Sequence, residues 1–150
     1  MKSPAWLEIA LKEIGQKEMA GTKANPRISL YHAITTLRAT SDEVSWCSSF
    51  VCWVLEKAGV PSTRSAAARS FLTWGQAIKD PFIGCVVVIS RGGDPTKGHV
   101  GFWVAENDEQ VFILGGNQDN EVNVRGYDKK RVLSYRAPND EHWTAKNGTH

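Results

Sequence analysis

The sequence changes its period after Pro81, and that change limits the folds open to it. Before it, apolar residues recur at helical spacing. After it, Cys85-Val86-Val87-Val88-Ile89 is an unbroken apolar run rich in β-branched side chains, which reads as a strand buried on both faces. Further strand-like stretches follow at His99 to Ala105, Gln110 to Leu114, Glu121 to Arg125 and Val132 to Arg136, separated by polar segments. Helices first and then about five strands in series predict an α+β fold with an antiparallel sheet.

Helical spacing divides the first half into four segments. Ser3 is the expected N-cap of a first helix, with Pro4 at its first position and Gly15 as its stop. Trp6, Ile9 and Ala10, together with Leu7, Leu11 and Ile14, cover more than one of its faces and predict substantial burial. After a loop from Gln16 to Lys23, Asn25-Pro26 opens a second helix through Ile28, Tyr31, Ile34 and Leu37. Thr40 to Glu43 is a polar break. A third helix begins near Ser45 and ends before Gly59, with Pro61 beyond it. Along it Cys47, Val51, Val54, Leu55 and Ala58 form one apolar stripe. A short helix from Ala66 to Trp74 ends at Gly75.

A chain of 150 residues suits one domain with a real core. That domain is expected over residues 1–138, with the polar segment 139–150 as a mobile tail. The net charge of +2 comes from scattered basic residues and leaves no nucleic-acid footprint. No nucleic-acid partner is expected, whereas weak attraction to an anionic cell wall is compatible with this charge. Three Cys is an odd number, which excludes a complete disulfide framework. Cys52 and Cys85 read as buried apolar residues. At the start of the chain Glu8, Lys12 and Glu13 interrupt any apolar stretch of the kind an export signal needs, and no stretch approaches a membrane span. Synthesis in the cytoplasm without a signal peptide, no membrane insertion and a monomer are the expectations.

Cys47 lies in Val44-Ser45-Trp46-Cys47-Ser48-Ser49-Phe50-Val51, in the first turn of the third helix. There unpaired backbone N–H groups favour thiolate over thiol. His99, in Gly98-His99-Val100-Gly101-Phe102, opens a strand and can take a proton and return it. Hairpin arithmetic adds a third residue. If Ala105 opposes Gln110, His99 faces Gly116; a five-residue loop, or one bulge, for which Gly115-Gly116 is a plausible site, puts it opposite Asn117 instead. The Asn117 amide oxygen would then accept from one ring N–H of His99 and leave the other nitrogen to Cys47. Each residue also has a plainer reading: Cys47 as core, His99 as a satisfied structural histidine, Asn117 as a turn residue. The trio together points to a cysteine hydrolase. The four His (His32, His99, His142, His150) and three Cys show no metal-ligand spacing. Neither Gly92-Gly93 nor Gly115-Gly116 has the setting of a phosphate loop. No metal and no cofactor is expected.

Trp46-Cys47-Ser48-Ser49-Phe50-Val51, Gly98-His99-Val100-Gly101-Phe102 and Leu114-Gly115-Gly116-Asn117-Gln118 together resemble the motif series of the CHAP and NlpC-type cysteine peptidases. More closely, they resemble a phage- and prophage-encoded, endolysin-like group within that superfamily. The likeness extends to Glu18, Asn25-Pro26-Arg27-Ile28, Trp74-Gly75 and Tyr135-Arg136-Ala137-Pro138, nearly the whole domain. It implies a papain-like α+β fold with the nucleophile helix packed on the sheet. It also implies peptidoglycan as partner and cleavage of an amide bond, either in the stem peptide or between muramic acid and L-alanine, with no cofactor. Cys47 carries over as nucleophile, His99 as base and acid, and Asn117 as the polar orienter, a place many relatives fill with Glu or a second His. Glu18, Trp46 and Gln118 are the candidate substrate contacts, with Glu18 alternatively a brace for the loop after the first helix. Such an enzyme would be made in the host cytoplasm and reach the wall (periplasm) through holin-type or secretion-system release. Two rivals remain: a non-catalytic wall-binding or structural phage module of the same fold, and a cysteine protease acting on proteins.

Overall fold

The structure is a computed structural model that describes residues 3–19, 25–35 and 46–139. The expected turn of the second helix at Leu37, the polar break Thr40 to Glu43, Ser45 and the tail beyond Asn139 lie outside the described residues. Helix α1 (Ala5–Lys12) is capped by Pro4, one residue later than the predicted Ser3; the Pro4 carbonyl accepts from the Leu7 N–H at 3.0 Å. It buries Trp6, Leu7 and Ala10 and leaves Leu11 and Ile14 half exposed, so one face is covered rather than several. Asn25 caps α2 (Pro26–Ala33) as expected, its side chain accepting from the Arg27 N–H at 2.8 Å. Helix α3 (Cys47–Lys57) starts after Trp46 and gives way at Gly59, whose φ of 78° a β-carbon would oppose. The short helix expected over Ala66 to Trp74 is a 3-10 helix over Ala68–Thr73. Its three-residue period sets Ala68 and Phe71 on one side, and both are buried.

Six strands follow: β1 (Gln76–Ile78), β2 (Val86–Ser90), β3 (Gly98–Glu106), β4 (Gln110–Gln118), β5 (Glu121–Asp128) and β6 (Val132–Ala137). They form one antiparallel sheet in the order β1-β6-β2-β3-β4-β5. The sequence predicts five of them. β1 escapes because it is three residues long, mostly exposed, and formed by pairing with β6. β2 is flanked by β3 and β6, and Val86 to Ile89 are fully buried, as their continuous apolar run predicts.

The link from β5 to β6 shapes the sheet. Lys129–Arg131 is the whole connection, and a chain of that length spans at most about 14 Å. In a flat sheet β5 and β6 would stand four strand spacings apart, about 19 Å. The sheet therefore curls. Its concave face holds Val87, Ile89, Val111 and Ile113 with Trp103, Tyr127, Val132 and Tyr135 packed against them. Lys129 Nζ on Glu106 at 2.8 Å, and Arg131 Nε and Nη2 on the Ser90 carbonyl at 3.0 and 2.8 Å, secure the return.

Helix α3 lies on the other face. The sequence predicts one apolar stripe, yet every residue from Cys47 to Leu55 is buried. A helix buried all round needs cover on every side. The sheet offers Val86, Val88, Val100, Phe102, Leu114 and Val122, while α1 and α2 close the rest. Tyr31 of α2 meets the Phe50 and Trp53 rings at 5.3 and 5.2 Å, and Phe50 meets Phe102 at 6.3 Å. The serines on this helix are partnered: Ser48 Oγ donates to the Ser65 carbonyl at 2.7 Å, and Ser49 Oγ lies 2.8 Å from His32 Nδ1. Left unpaired, each would cost about 1–3 kcal/mol.

Candidate active site

Cys47 is the first residue of α3, and Trp46 before it supplies no side-chain cap. The N–H groups of a first helical turn carry partial positive charge, and no acidic residue lies in this one. Of the three free cysteines only Cys47 keeps any exposure, 2% against 0% for Cys52 and Cys85. Cys52 Sγ lies 3.6 Å from Thr63 Oγ1 and from the Ser65 carbonyl oxygen. Burial pushes the Cys85 thiol up to about 12, as befits an inert structural cysteine.

His99 is the second residue of β3, buried, and opposite Ile89 on the concave face. Its Nε2 lies 2.9 Å from Gln118 Oε1. The other end of that amide fixes its orientation: Gln118 Nε2 donates to the carbonyls of Ile113 and Asn123 at 3.1 and 2.8 Å, and to Asn123 Oδ1 at 2.9 Å. The amide oxygen thus faces the ring. Nε2 carries the proton, and Nδ1 keeps its lone pair.

The sequence points to Asn117 as this partner, and the structure sets Gln118 there. The β3–β4 ladder does contain one bulge, between Trp103 and Ala105, and beyond it runs in the register Phe102↔Leu114. Continued, that register would bring Asn117 opposite His99. β4 has a second irregularity between Gly115 and Gln118, where Asn117 takes a left-handed backbone with φ 58°. One inserted residue flips the face of every side chain beyond it, so Gln118 is the one presented to His99. The two glycines serve here by lacking side chains. A Cβ on Gly115 would stand 2.7 Å from Gln118 Oε1, and one on Gly116 would stand 2.7 Å from the Trp46 ring.

Tyr127 completes the cluster, and sequence reasoning missed it. The strand pattern stops at Arg125, whereas β5 runs on to Asp128, and the curl carries Tyr127 across the concave face to His99. Its Oη lies 3.4 Å from His99 Nε2, with ring centroids 5.3 Å apart. Burial pushes this hydroxyl up to about 12, against the opposing pull of the Arg125 and Arg131 guanidiniums. Tyr127 thus neighbours His99, and the start of α3 meets β4 where a Cβ on Gly116 would touch Trp46 and Phe50.

Of the other predicted site residues, Trp46 and Gln118 are buried and Glu18 is half-buried. Trp46 is fully buried, 5.9 Å from the Tyr31 ring, and its Nε1 donates to Glu18 Oε1 at 2.8 Å. It therefore has no exposed face on which substrate could stack, and Gln118, itself buried, spends its amide on His99 and β5. Glu18 is engaged with Trp46 and with the chain beside β5. It is placed by residues 15–18 running along β5: the Gly15 N–H meets the Val122 carbonyl at 3.0 Å, and the Glu18 N–H meets that of Asn120 at 2.8 Å. Among the described residues no three His, Cys, Asp or Glu side chains converge as a metal site would require.

No protein-family model matches the chain, and no curated protein matches it. Among solved structures it is similar to a protein of Staphylococcus aureus subsp. aureus Mu50 described as similar to lipoprotein, NLP/P60 family. The TM-score is 0.53 at 17% identity, over 89% of this chain and 40% of that one. The chain thus spans two fifths of that protein's length, and what the two share is the fold. This chain has the papain-like α+β fold of an NLP/P60 protein, with a helix opened by Cys47 packed on a curled antiparallel sheet.

Proposed function

We propose that this chain is a cysteine hydrolase that cleaves an amide bond of bacterial peptidoglycan. The observation that carries this reading is the fixed tautomer of His99. With Nε2–H held by Gln118, Nδ1 is the nitrogen left to accept a proton from Cys47, which is the first residue of α3. The Cys47 thiol passes its proton to Nδ1, and its sulfur bonds to the carbonyl carbon. The displaced electron pair moves onto the carbonyl oxygen, toward the Cys47 backbone N–H. As the C–N bond breaks, His99 returns the proton to the leaving amine. Water then gives a proton to His99 and its oxygen to the thioester; the acid departs and Cys47 regains its proton. Gln118 keeps the ring oriented throughout, and Asn117 is the bulge residue that turns Gln118 inward.

Peptidoglycan is supported by the motif series and by the NLP/P60 description of the structural neighbour. The bond is either in the stem peptide or between muramic acid and L-alanine. A phage- or prophage-encoded lytic enzyme released to the wall is the setting this reading carries. Purified sacculi test it. Soluble muropeptides released by the wild type and not by Cys47→Ala are the expected result, and their masses identify the bond. Binding to sacculi without release would favour a wall-binding module, and cleavage of proteins with inert sacculi would favour a protease.

A further inference from the structure

The contact between Tyr127 and His99 has a direction set by its neighbours. Because Gln118 Oε1 can only accept, the proton between them sits on His99 Nε2. Tyr127 Oη, 3.4 Å from the same nitrogen, is then a second acceptor for that N–H and not a donor to it. The tyrosine is itself held. The Arg131 guanidinium lies 5.3 Å over its ring and is tied by Nε and Nη2 to the carbonyl of Ser90, the residue opposite Gly98 in the ladder. The rings of Tyr127 and His99 are inclined by 36°, so the tyrosine also packs on the imidazole. A continuous set of contacts thus joins the β5–β6 return to the histidine ring.

We propose that Tyr127 is a positioning residue for His99, sharing with Gln118 the task of holding the ring while Nδ1 takes up and returns its proton; this role rests on the Cys47–His99 reading above. When Nδ1 is protonated, Nε2–H becomes a charge-assisted donor, and two neutral oxygens receive it where one would otherwise do so. The hydroxyl stays neutral at working pH because burial holds it protonated.

Tyr127→Phe keeps the ring and removes the oxygen. Three measurements read it: kcat and KM on purified disaccharide-peptide muropeptides, the rate of Cys47 alkylation by iodoacetamide, and the proton resonance of His99 Nε2–H. We expect kcat to fall about tenfold with KM little changed, alkylation to slow in parallel, the resonance to move upfield and the thermal midpoint to hold. His99→Ala is the control for the underlying reading, since alkylation needs no wall substrate. If His99→Ala slows alkylation while Tyr127→Phe alkylates and turns over like the wild type, the tyrosine role is wrong and the Cys47–His99 pair stands. Should His99→Ala leave alkylation unchanged, the pair itself has failed, and the resonance still decides the contact. A resonance unmoved by Tyr127→Phe overturns the proposal, as does a fall in kcat that only tracks a lowered thermal midpoint.

Discussion

One side-chain amide decides which nitrogen of His99 can serve as a base. Gln118 is anchored at its NH2 end by Ile113 and Asn123, so its oxygen cannot turn away from the ring without breaking those bonds. Gln118→Ala should therefore cost at least about tenfold in kcat, and more than Asn117→Ala does. Steady-state rates of the two variants check this, and the reverse order would return the orienting role to Asn117. The same scale separates the three thiols. Limiting iodoacetamide at about pH 6.5, well below the free-thiol value of roughly 8.5, should label Cys47 ahead of Cys52 and Cys85. Cys85 is held as a thiol by burial, and Cys52 is fully enclosed. Peptide mapping that found either of those labelled first would remove Cys47 as nucleophile.

Between elements, the site depends on how closely α3 approaches β4. Gly116 lets the Trp46 ring and Phe50 press against the strand; a Cβ there would meet them at 2.7 and 2.9 Å, and both side chains are fully buried. Gly116→Ala must push the start of α3 outward. We expect a loss of about 1–3 kcal/mol in stability from urea titration, with a larger proportional loss of activity because Cys47 moves with the helix. Glu18 works on the same joint from the other side, accepting from the buried indole N–H of Trp46. Glu18→Ala leaves that donor unpaired and should cost about 1–3 kcal/mol, whereas Glu18→Gln keeps an acceptor oxygen and should recover most of it. Equal losses in the two variants would mean that the carboxylate charge, not the hydrogen bond, is what holds the joint.

Over the whole molecule, burial of ionisable groups sets the pH range of the fold. All three tyrosines (Tyr31, Tyr127 and Tyr135) ionise above their ordinary range, mainly through burial, and Cys85 does so for the same cause. A group whose pKa rises on folding contributes stability that is complete below its unfolded value and is lost as pH climbs through the folded one. Stability should thus fall between about pH 9 and 12, from the unfolded values of Cys and Tyr upward. A urea midpoint that stays level across that interval would sink the prediction. Glu106 acts in the opposite sense. The hydrogen bond from Lys129, joined by those from Trp103 and Tyr135, holds its carboxyl below the usual carboxylate range. Its contribution is present above the unfolded value of about 4.3 and is lost as pH drops through the folded one.

The sequence alone determined whatever is carried by neighbouring residues. The order of helices before strands, the Asn25 cap, the fully buried run of β2 and the place of Cys47 at a helix start all follow from local pattern. The hairpin count does not transfer: Ala105 pairs with Phe112 rather than Gln110, and the slip in the β3–β4 ladder lies between Trp103 and Ala105 rather than at Gly115-Gly116. Tertiary structure decided the rest. The three-residue link between strands four places apart curls the sheet and brings Tyr127 to His99, a contact that no local period contains. The second irregularity, in β4 between Gly115 and Gln118 with Asn117 in a left-handed backbone, exchanges Asn117 for Gln118 at the ring. Side-chain direction in a strand alternates at every residue. A displacement of one position, too small to leave a mark in composition or spacing, therefore decides which amide meets the histidine.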